Sequence, residues 1–430
     1  MAKRVKFQTP TGMHDILPEE QMYFRRIQEA VEKIVDFYGF GKIETPILEQ
    51  TELFSKGIGL DTDIVQKEMF TFRTRGGDVL SLRPEGTAPV VRAYLENGMF
   101  NLPQPVKLWY FGPFFRHERP QAGRFRQFWQ FGLEVLGEQS AVTDAQVIQI
   151  FYNILKDLKI QNLLVEINTI GDSQCRPYYK KLLKNYIRSR ESSLCADCRR
   201  RAKINPLRIL DCKQEKCQRI ASQAPQIIDH LCDNCHQHFK EVLEFLDEAE
   251  IPYHLNPYLV RGLDYYTKTV FEIVEQLPER ETIGSLVGGG RYDGLSKLVG
   301  SKNIPAMGGA AGVERIIATM KRQQIVPFQP PVPKVFLAQI GRLAKRKSLK
   351  LFEEFRKANI LITESFGRDS LRAQMAKSNK LGVDYSLILG QKETLEGTVI
   401  VRDMVTGKQK VVKLEETVNE VKKMLKKKKT

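Results

Sequence analysis

Residues 114–134, FFRHERPQAGRFRQFWQFGLE, crowd Arg116, Arg119, Arg124 and Arg126 into eleven positions among aromatic residues. A planar guanidinium can grip a phosphate with two parallel hydrogen bonds, so such a cluster fits phosphate chemistry. The flanking residues, rich in Phe and Trp, have strand chemistry, and Pro120-Gln121-Ala122-Gly123 reads as a turn between two antiparallel strands. An amphipathic hairpin with one solvated face would show the same alternation. Arg261-Gly-Leu-Asp264-Tyr265-Tyr266 is a second dense set of polar recognition groups. Packed-core tyrosines are the alternative for Tyr265 and Tyr266. Gly308-Gly-Ala-Ala-Gly312-Val-Glu-Arg315 runs small residues into a helix start, where free N–H groups and the helix dipole favour an anion. Gly288-Gly-Gly-Arg-Tyr292 lacks both the strand–GxGxxG–helix context of a dinucleotide site and the lysine of a P-loop. It reads instead as a tight strand-to-turn junction.

All seven cysteines lie within residues 170–255. Cys195–Cys198 and Cys232–Cys235 are two CxxC pairs, which in a cytosolic chain suggests tetrahedral zinc. Cys212 and Cys217 lie between them and allow several ligand sets. Reduced cysteines that simply pack in the interior are the alternative.

Elements must position these groups. Phe24, Ile27, Val31, Ile34, Val35 and Tyr38 recur at helical spacing, so a helix is expected over 18–38, opened by Pro18 and stopped by Gly39. A strand is expected over 40–48, at an edge or an interface because Pro46 cannot donate to a ladder. Residues 78–95 read as strand, turn and helix, with the helix beginning near Ala88. A helix follows over 140–160, then a strand over 163–168. The cysteine-rich stretch reads as an insertion with several helices. Strand and glycine chemistry returns at 259–275, 284–292 and 307–312. Four prolines in PFQPPVP, 327–333, make a stiff linker. Beyond it, strands at 335–340, 360–363, 385–389, 398–403 and 410–414 alternate with helices at 345–358 and 369–380 before a last helix. That pattern is a small α/β domain.

The chain of 430 residues is long enough for two or three domains, and 42% hydrophobic with 27% charged residues is ordinary globular composition. No run of 18 apolar residues suggests a membrane span, and the start MAKRVKFQTP lacks a signal peptide's apolar stretch, so the default location is the cytoplasm. The net charge of +16 points to a polyanionic partner. Lys334–Thr430 holds 23 Lys and Arg against 11 Asp and Glu and so carries most of the excess.

Together these segments resemble the histidyl-tRNA synthetases, which are class II aminoacyl-tRNA synthetases, over nearly the full length. The first helix and the Pro46 strand are similar to motif 1, the dimer motif. FRHERPQAGRFRQF is similar to motif 2 and GGAAGVERI to motif 3. RGLDYY at 261–266 and GGGRYDGL at 288–295 resemble the two histidine-specific segments, and LRPEGT at 82–87 fits as well. The resemblance implies an α+β fold: a six-stranded antiparallel catalytic sheet flanked by helices, an inserted mainly helical domain and a C-terminal α/β anticodon-binding domain. Its expected boundaries are 1–169 and 256–326 for the catalytic parts, 170–255 for the insertion, 327–333 for the linker and 334–430 for the anticodon domain.

The resemblance further implies ATP and Mg2+, L-histidine and histidine tRNA as ligands, a homodimer and no membrane. Arg116, Arg261 and Arg315 would be catalytic, the first two on the α-phosphate and the third on the γ-phosphate. Glu118 and Phe128 would border the adenine. Glu134 and Tyr266 would bond the imidazole. Glu85, Gly86, Thr87 and Gln130 would lie near the α-amino group, and Tyr265 and Tyr292 would complete the histidine pocket with Arg116 and Arg261. Gln121 and Arg124 would meet the tRNA acceptor end. A structural zinc on Cys195, Cys198, Cys232 and Cys235 is expected from the CxxC spacing rather than from the resemblance. The rivals are a non-catalytic synthetase-like regulatory subunit of histidine biosynthesis and another class II synthetase. Relatives of the first kind usually lose the catalytic arginines and the anticodon domain; the second kind lacks RGLDYY.

Overall fold

The protein is described by a computed structural model for residues 7–60, 62–119, 123–276, 284–300, 302–329, 331–367 and 369–428. Gln121 and its neighbours Pro120 and Ala122 lie outside the described residues. The chain divides into two units, Met1–Phe328 and Gln329–Thr430.

The first unit opens with helix α1 (Pro18–Phe37), which buries Phe24, Ile27, Val31 and Val35, one side of the 3.6-residue repeat. The strand expected over 40–48 is split. Strand β1 (Gly41–Lys42) joins the large sheet, and β2 (Leu48–Gln50) joins β3 (Thr71–Arg73) and β4 (Val79–Leu82) in a separate sheet of order β2-β4-β3. Pro46 lies in the gap, where its missing N–H interrupts no ladder. Helix α2 (Thr51–Ile58) lies between β2 and β3 in sequence, and α3 (Thr87–Glu96) follows β4.

The large sheet adds β5 (Val106–Phe115), β6 (Gln127–Leu136), β7 (Leu163–Thr169), β8 (Tyr253–Leu255), β9 (Thr267–Glu275), β10 (Val287–Arg291) and β11 (Ala306–Gly312). Its order is β1-β5-β6-β11-β10-β9-β7-β8. The six central strands pair antiparallel throughout. The short edge strands β1 and β8 extend the expected six by parallel pairing, β1 on β5 and β8 on β7. The hairpin strands stop at Phe115 and resume at Gln127, so Arg116, Arg119, Arg124 and Arg126 stand on the connecting loop rather than on strands. One backbone bond, Arg116 N–H to Arg126 O at 2.9 Å, still clasps the base of that loop.

Helix α4 (Ala141–Asp157) and the sheet share one core, in which Ile148 and Phe151 meet Phe131, Leu133 and Phe271. The cysteine-rich segment carries α5 (Arg176–Arg188), α6 (Ala196–Ile204), α7 (Glu215–Ala221) and α8 (Asp233–Glu248). The last of these differs from the rest. Phe239, Val242 and Leu246 of α8 belong to the core of the large sheet. Helices α9 (Leu295–Val299) and α10 (Val313–Arg322) complete the unit.

The second unit has strands β12 (Val335–Gln339), β13 (Ile362–Glu364), β14 (Tyr385–Leu389), β15 (Thr398–Asp403) and β16 (Gln409–Lys413). Their order is β13-β12-β14-β15-β16, with the first two pairings parallel and the last two antiparallel. Helices α11 (Arg342–Lys357), α12 (Leu371–Lys380), α13 (Gln391–Glu396) and α14 (Thr417–Lys427) pack with it. No described helix is long and apolar enough to cross a membrane.

Candidate active site

Glu134 lies on β6, paired with Leu108 on one side and Gly308 on the other. Its side chain is completely buried. The Thr87 hydroxyl donates to it at 2.8 Å, the Tyr110 hydroxyl at 3.5 Å, and the Tyr292 hydroxyl in a short contact. Burial pushes its carboxyl up to about 8, against the pull of the Tyr292 and Thr87 hydrogen bonds. The glycines of β11 make this arrangement possible. A Cβ at Gly308 would stand 1.8 Å from Glu134 Oε2 and 2.5 Å from the Leu133 carbonyl oxygen. Small residues here serve a carboxylate inside the sheet, not only an anion at the helix start.

A cleft of about 200 Å3 opens next to this carboxylate, lined by two of its partners, Thr87 and Tyr110. Glu85 lies on its wall and accepts from the backbone N–H groups of Thr87 at 2.6 Å and Ala88 at 3.0 Å. It thereby satisfies two orphan donors at the start of α3, which fixes the Pro84–Thr87 turn. Tyr265 and Tyr266 are tilted against each other with centroids 4.6 Å apart, and Tyr265 meets the Tyr292 ring at 5.7 Å. Both are buried, as packed tyrosines would be, yet both line the cleft. Gly86 and Gln130 line it too, whereas Tyr292 acts from beneath through Glu134.

Arg116, Arg124, Arg261 and Arg315 all face the same cleft. Arg116 is anchored by donation to the Pro84 carbonyl at 2.9 Å, and its guanidinium lies 5.3 Å from the Phe128 ring centre. Arg315 donates to the Ser285 carbonyl at 2.8 Å. Burial, then the positive charge of Arg124, lowers its affinity for its proton. Arg261, in the segment leading into β9, pairs with Glu272 of that strand. A Cβ at Gly288 would stand 2.1 Å from the Arg261 guanidinium, so the glycine strand β10 leaves that side chain its room. Glu118 lies between Arg124 at 3.2 Å and Arg116 at 3.8 Å. Four cations converge where a polyphosphate could be held.

Tyr110, Glu272 and Glu314 belong to the cleft as well, although nothing in the motif reading singled them out. Glu272 had a visible signal, a lone carboxylate within the apolar run TVFEIV. Glu314 accepts the Trp129 N–H at 2.8 Å and is pushed up to about 7, chiefly by burial. A second unforeseen set lies behind the cleft. Arg291 and Asp144 are both fully buried and paired, and His238 Nε2 of α8 lies 2.9 Å from Asp144.

The expected cysteine quartet is not assembled. Cys195 and Cys198 group with Cys212 and Cys217, whereas Cys232 and Cys235 group with Asp172 and Cys175. Spacing along the chain paired the two CxxC units, but α7 and the turns before it carry them to different places.

An antiparallel sheet with arginines on the motif 2 loop and at the start of α10, flanking a buried amino-acid-sized pocket, defines a class II aminoacyl-tRNA synthetase catalytic unit. A family profile described as histidyl-tRNA synthetase matches residues 12–316, and one described as anticodon binding domain matches 334–424. The chain belongs to the histidyl-tRNA synthetase family. It is 45% identical to the histidine–tRNA ligase of Dehalococcoides mccartyi strain 195 over 97% of this chain and 100% of that relative. It is 43% identical to that of Caldicellulosiruptor saccharolyticus, over 96% and 98% respectively. Among solved structures, apo histidyl-tRNA synthetase of S. aureus matches with a TM-score of 0.80 at 32% identity, covering 96% of this chain and 99% of that one. A Bacillus halodurans structure described as an ATP phosphoribosyltransferase regulatory subunit/histidyl-tRNA synthetase also matches, with a TM-score of 0.61 at 21% identity over 90% of this chain and 98% of that one, which is a likeness of fold.

Proposed function

We propose that the cleft activates L-histidine with ATP and passes the histidyl group to histidine tRNA. The observation that carries this reading is one cleft lined by Arg116, Arg124, Arg261 and Arg315 together with Thr87 and Tyr110, the hydroxyls that bond the buried Glu134. Glu134 and Tyr266 take the two imidazole nitrogens. Glu85, Thr87 and Gln130 face the α-amino group, with Gly86 allowing its approach and Tyr265 closing the side. A pocket whose polar groups demand partners rejects analogues lacking them by on the order of 10⁴-fold. That supports a site needing no separate editing domain.

In the first step a histidine carboxylate oxygen attacks the α-phosphorus and pyrophosphate leaves. Arg116 and Arg261 hold the negative charge that develops on the α-phosphate, and Arg315 holds the γ-phosphate. Phe128 and Glu118 border the adenine. Carboxylate oxygens of Glu118 and Glu272 on the cleft wall are donors of the kind that suits Mg2+, which when bound offsets phosphate charge. In the second step a terminal ribose hydroxyl of the tRNA attacks the histidyl carbonyl and AMP leaves. Arg124 and Gln121 on the motif 2 loop meet that acceptor end. The basic 334–430 segment reads the anticodon through stacking and base-edge contacts.

A second copy of this chain covers the apolar face near β2. Ile47, Leu48, Phe72 and Val79 are large, exposed and close in sequence to that small sheet.

Histidine-dependent ATP–pyrophosphate exchange tests the whole reading. Exchange with histidine and with no other amino acid is the expected result. Exchange driven by a different amino acid, or none at all, would remove it.

A further inference from the structure

The insertion's cysteines take no part in the cleft chemistry, yet they are far from randomly packed. Cys195, Cys198, Cys212 and Cys217 bring their four Sγ atoms within 4.8 Å of one another. Cys195 and Cys212 are 3.9 Å apart at sulfur, far beyond the roughly 2.05 Å of a disulfide bond. All seven cysteines are free. A tetrahedron with Zn–S bonds of about 2.3 Å has S···S edges of about 3.8 Å. The Cys195–Cys212 separation matches that edge, and the remaining pairs lie within 4.8 Å, close enough for four thiolates to gather around one ion.

The backbone is arranged to match. Cys195 caps α6, and its sulfur accepts the Cys198 N–H at 3.4 Å. The Cys195 N–H in turn points at Cys217 Sγ, 3.3 Å away. Such bonds favour a negatively charged sulfur. The four residues also tie together α6, with 9 residues, and α7, with 7, both too short to be stable alone.

Asp172, Cys175, Cys232 and Cys235 form a second set, again within 4.8 Å at their ligand atoms. The turn before α5 is shaped around it. Gly171 has φ +61°, and a Cβ there would stand 2.5 Å from Cys175 Sγ. The Asp172 N–H lies 3.3 Å from that sulfur, and Asp172 Oδ1 accepts the Gln174 N–H at 2.9 Å. Both pairs, Asp172–Cys175 and Cys232–Cys235, have the x-x spacing that lets one turn offer two ligands.

We propose that the insertion holds two separate zinc ions, one on four cysteines and one on three cysteines and Asp172. The ions are structural: each set supplies all four ligands and leaves no open position for a reactant. The first ion braces a strap that reaches the catalytic unit. From it Arg201 bonds Asp63 at 2.7 Å, and Asn205 bonds Asp264, inside the Arg261–Tyr266 segment, at 2.9 Å. The second ion fixes the N-terminal end of α8, one turn before His238 and its contact with Asp144.

The test is metal stoichiometry on the full-length protein purified under reducing conditions. Two zinc ions per chain are expected by elemental analysis. Cys198→Ser with Cys217→Ser should leave one, Cys175→Ser with Cys235→Ser should leave one, and all four changes none. Wild-type protein stripped of metal and titrated with Co2+ avoids any folding defect of the variants. It should develop thiolate-to-cobalt charge-transfer absorbance that ends at two equivalents, and regain resistance of residues 170–255 to trypsin. An end point at one equivalent overturns the proposal. So does loss of both ions from either paired variant, or metal-free wild-type protein with seven titratable thiols.

Discussion

Arg261 and Glu134 carry the sharpest single-residue consequences. Arg261→Ala removes one grip on the α-phosphate and leaves the half-buried Glu272 without its ion-pair partner. Pyrophosphate exchange should fall by at least about 10²-fold, the scale of losing one oxyanion donor. Histidine binding, read by calorimetry, should persist; unchanged exchange would defeat the assignment. Glu134→Gln should raise the KM for histidine far more than it lowers kcat at saturation. The same residue shapes stability against pH. Its folded carboxyl titrates near 8, above the unfolded value of 4.5. The folded state therefore binds an extra proton between those values, and stability is lost as pH rises through that window. Melting temperatures of the ligand-free protein should fall from pH 5 to pH 8.5, and less steeply in Glu134→Gln. Parallel curves would mean that another group governs the slope. The importance of Glu134 was visible only through the resemblance. A lone glutamate in the apolar strand QFWQFGLEVL does not reveal which hydroxyls will surround it.

At the scale of elements, the glycine strands β10 and β11 behave as clearance for side chains of neighbouring strands. The two do not fail alike. At Gly288 every near contact is the flexible guanidinium of Arg261. Gly288→Ala should displace that group, reducing pyrophosphate exchange with little change in melting temperature. At Gly308 the added carbon also meets the Leu133 carbonyl, which cannot swing aside. Gly308→Ala should cost stability in the overpacking range of about 1–3 kcal/mol as well as activity. Equal melting temperatures for the two variants would contradict this distinction. Much of the element pattern was legible. The spacing of Phe24, Ile27, Val31 and Val35 marks α1, and the strands Tyr385–Leu389 and Thr398–Asp403 fall on the apolar run YSLIL and the β-branched run TVIV. The hairpin was misjudged at its tip because Arg and Phe alternate beyond the last ladder bond. The edge strand β8, three residues long with mixed character, carries no periodic signal. The cysteine partition was illegible because ligand sets depend on how α6 and α7 turn, which spacing alone does not encode.

For the molecule as a whole, the excess positive charge and the chemistry lie in different units. Residues 1–328 form one unit containing every described cleft residue, while 334–430 carries most of the excess charge. A chain ending at Phe328 should retain histidine-dependent pyrophosphate exchange within a few-fold and lose most tRNA charging. Equal losses would refute that division of labour. Charging by the intact chain should also weaken steeply with salt, since phosphate contacts release counterions. The division at Phe328–Gln329 falls within the proline-rich stretch 327–333, whereas nothing in the sequence marks α8 as part of the sheet's core. Phe239, Val242 and Leu246 place α8 in the sheet's core, and His238 completes the Asp144–Arg291 pair. This bears on any attempt to build chimeras. Replacing 170–255 wholesale would strip the sheet of core side chains and remove the histidine from a buried ion pair. Cutting just before Cys232 would still separate Cys232 and Cys235 from Asp172 and Cys175 unless those two stay with the recipient. The piece that can be transplanted between relatives is therefore 176–231, bounded on both sides by residues of the second metal set.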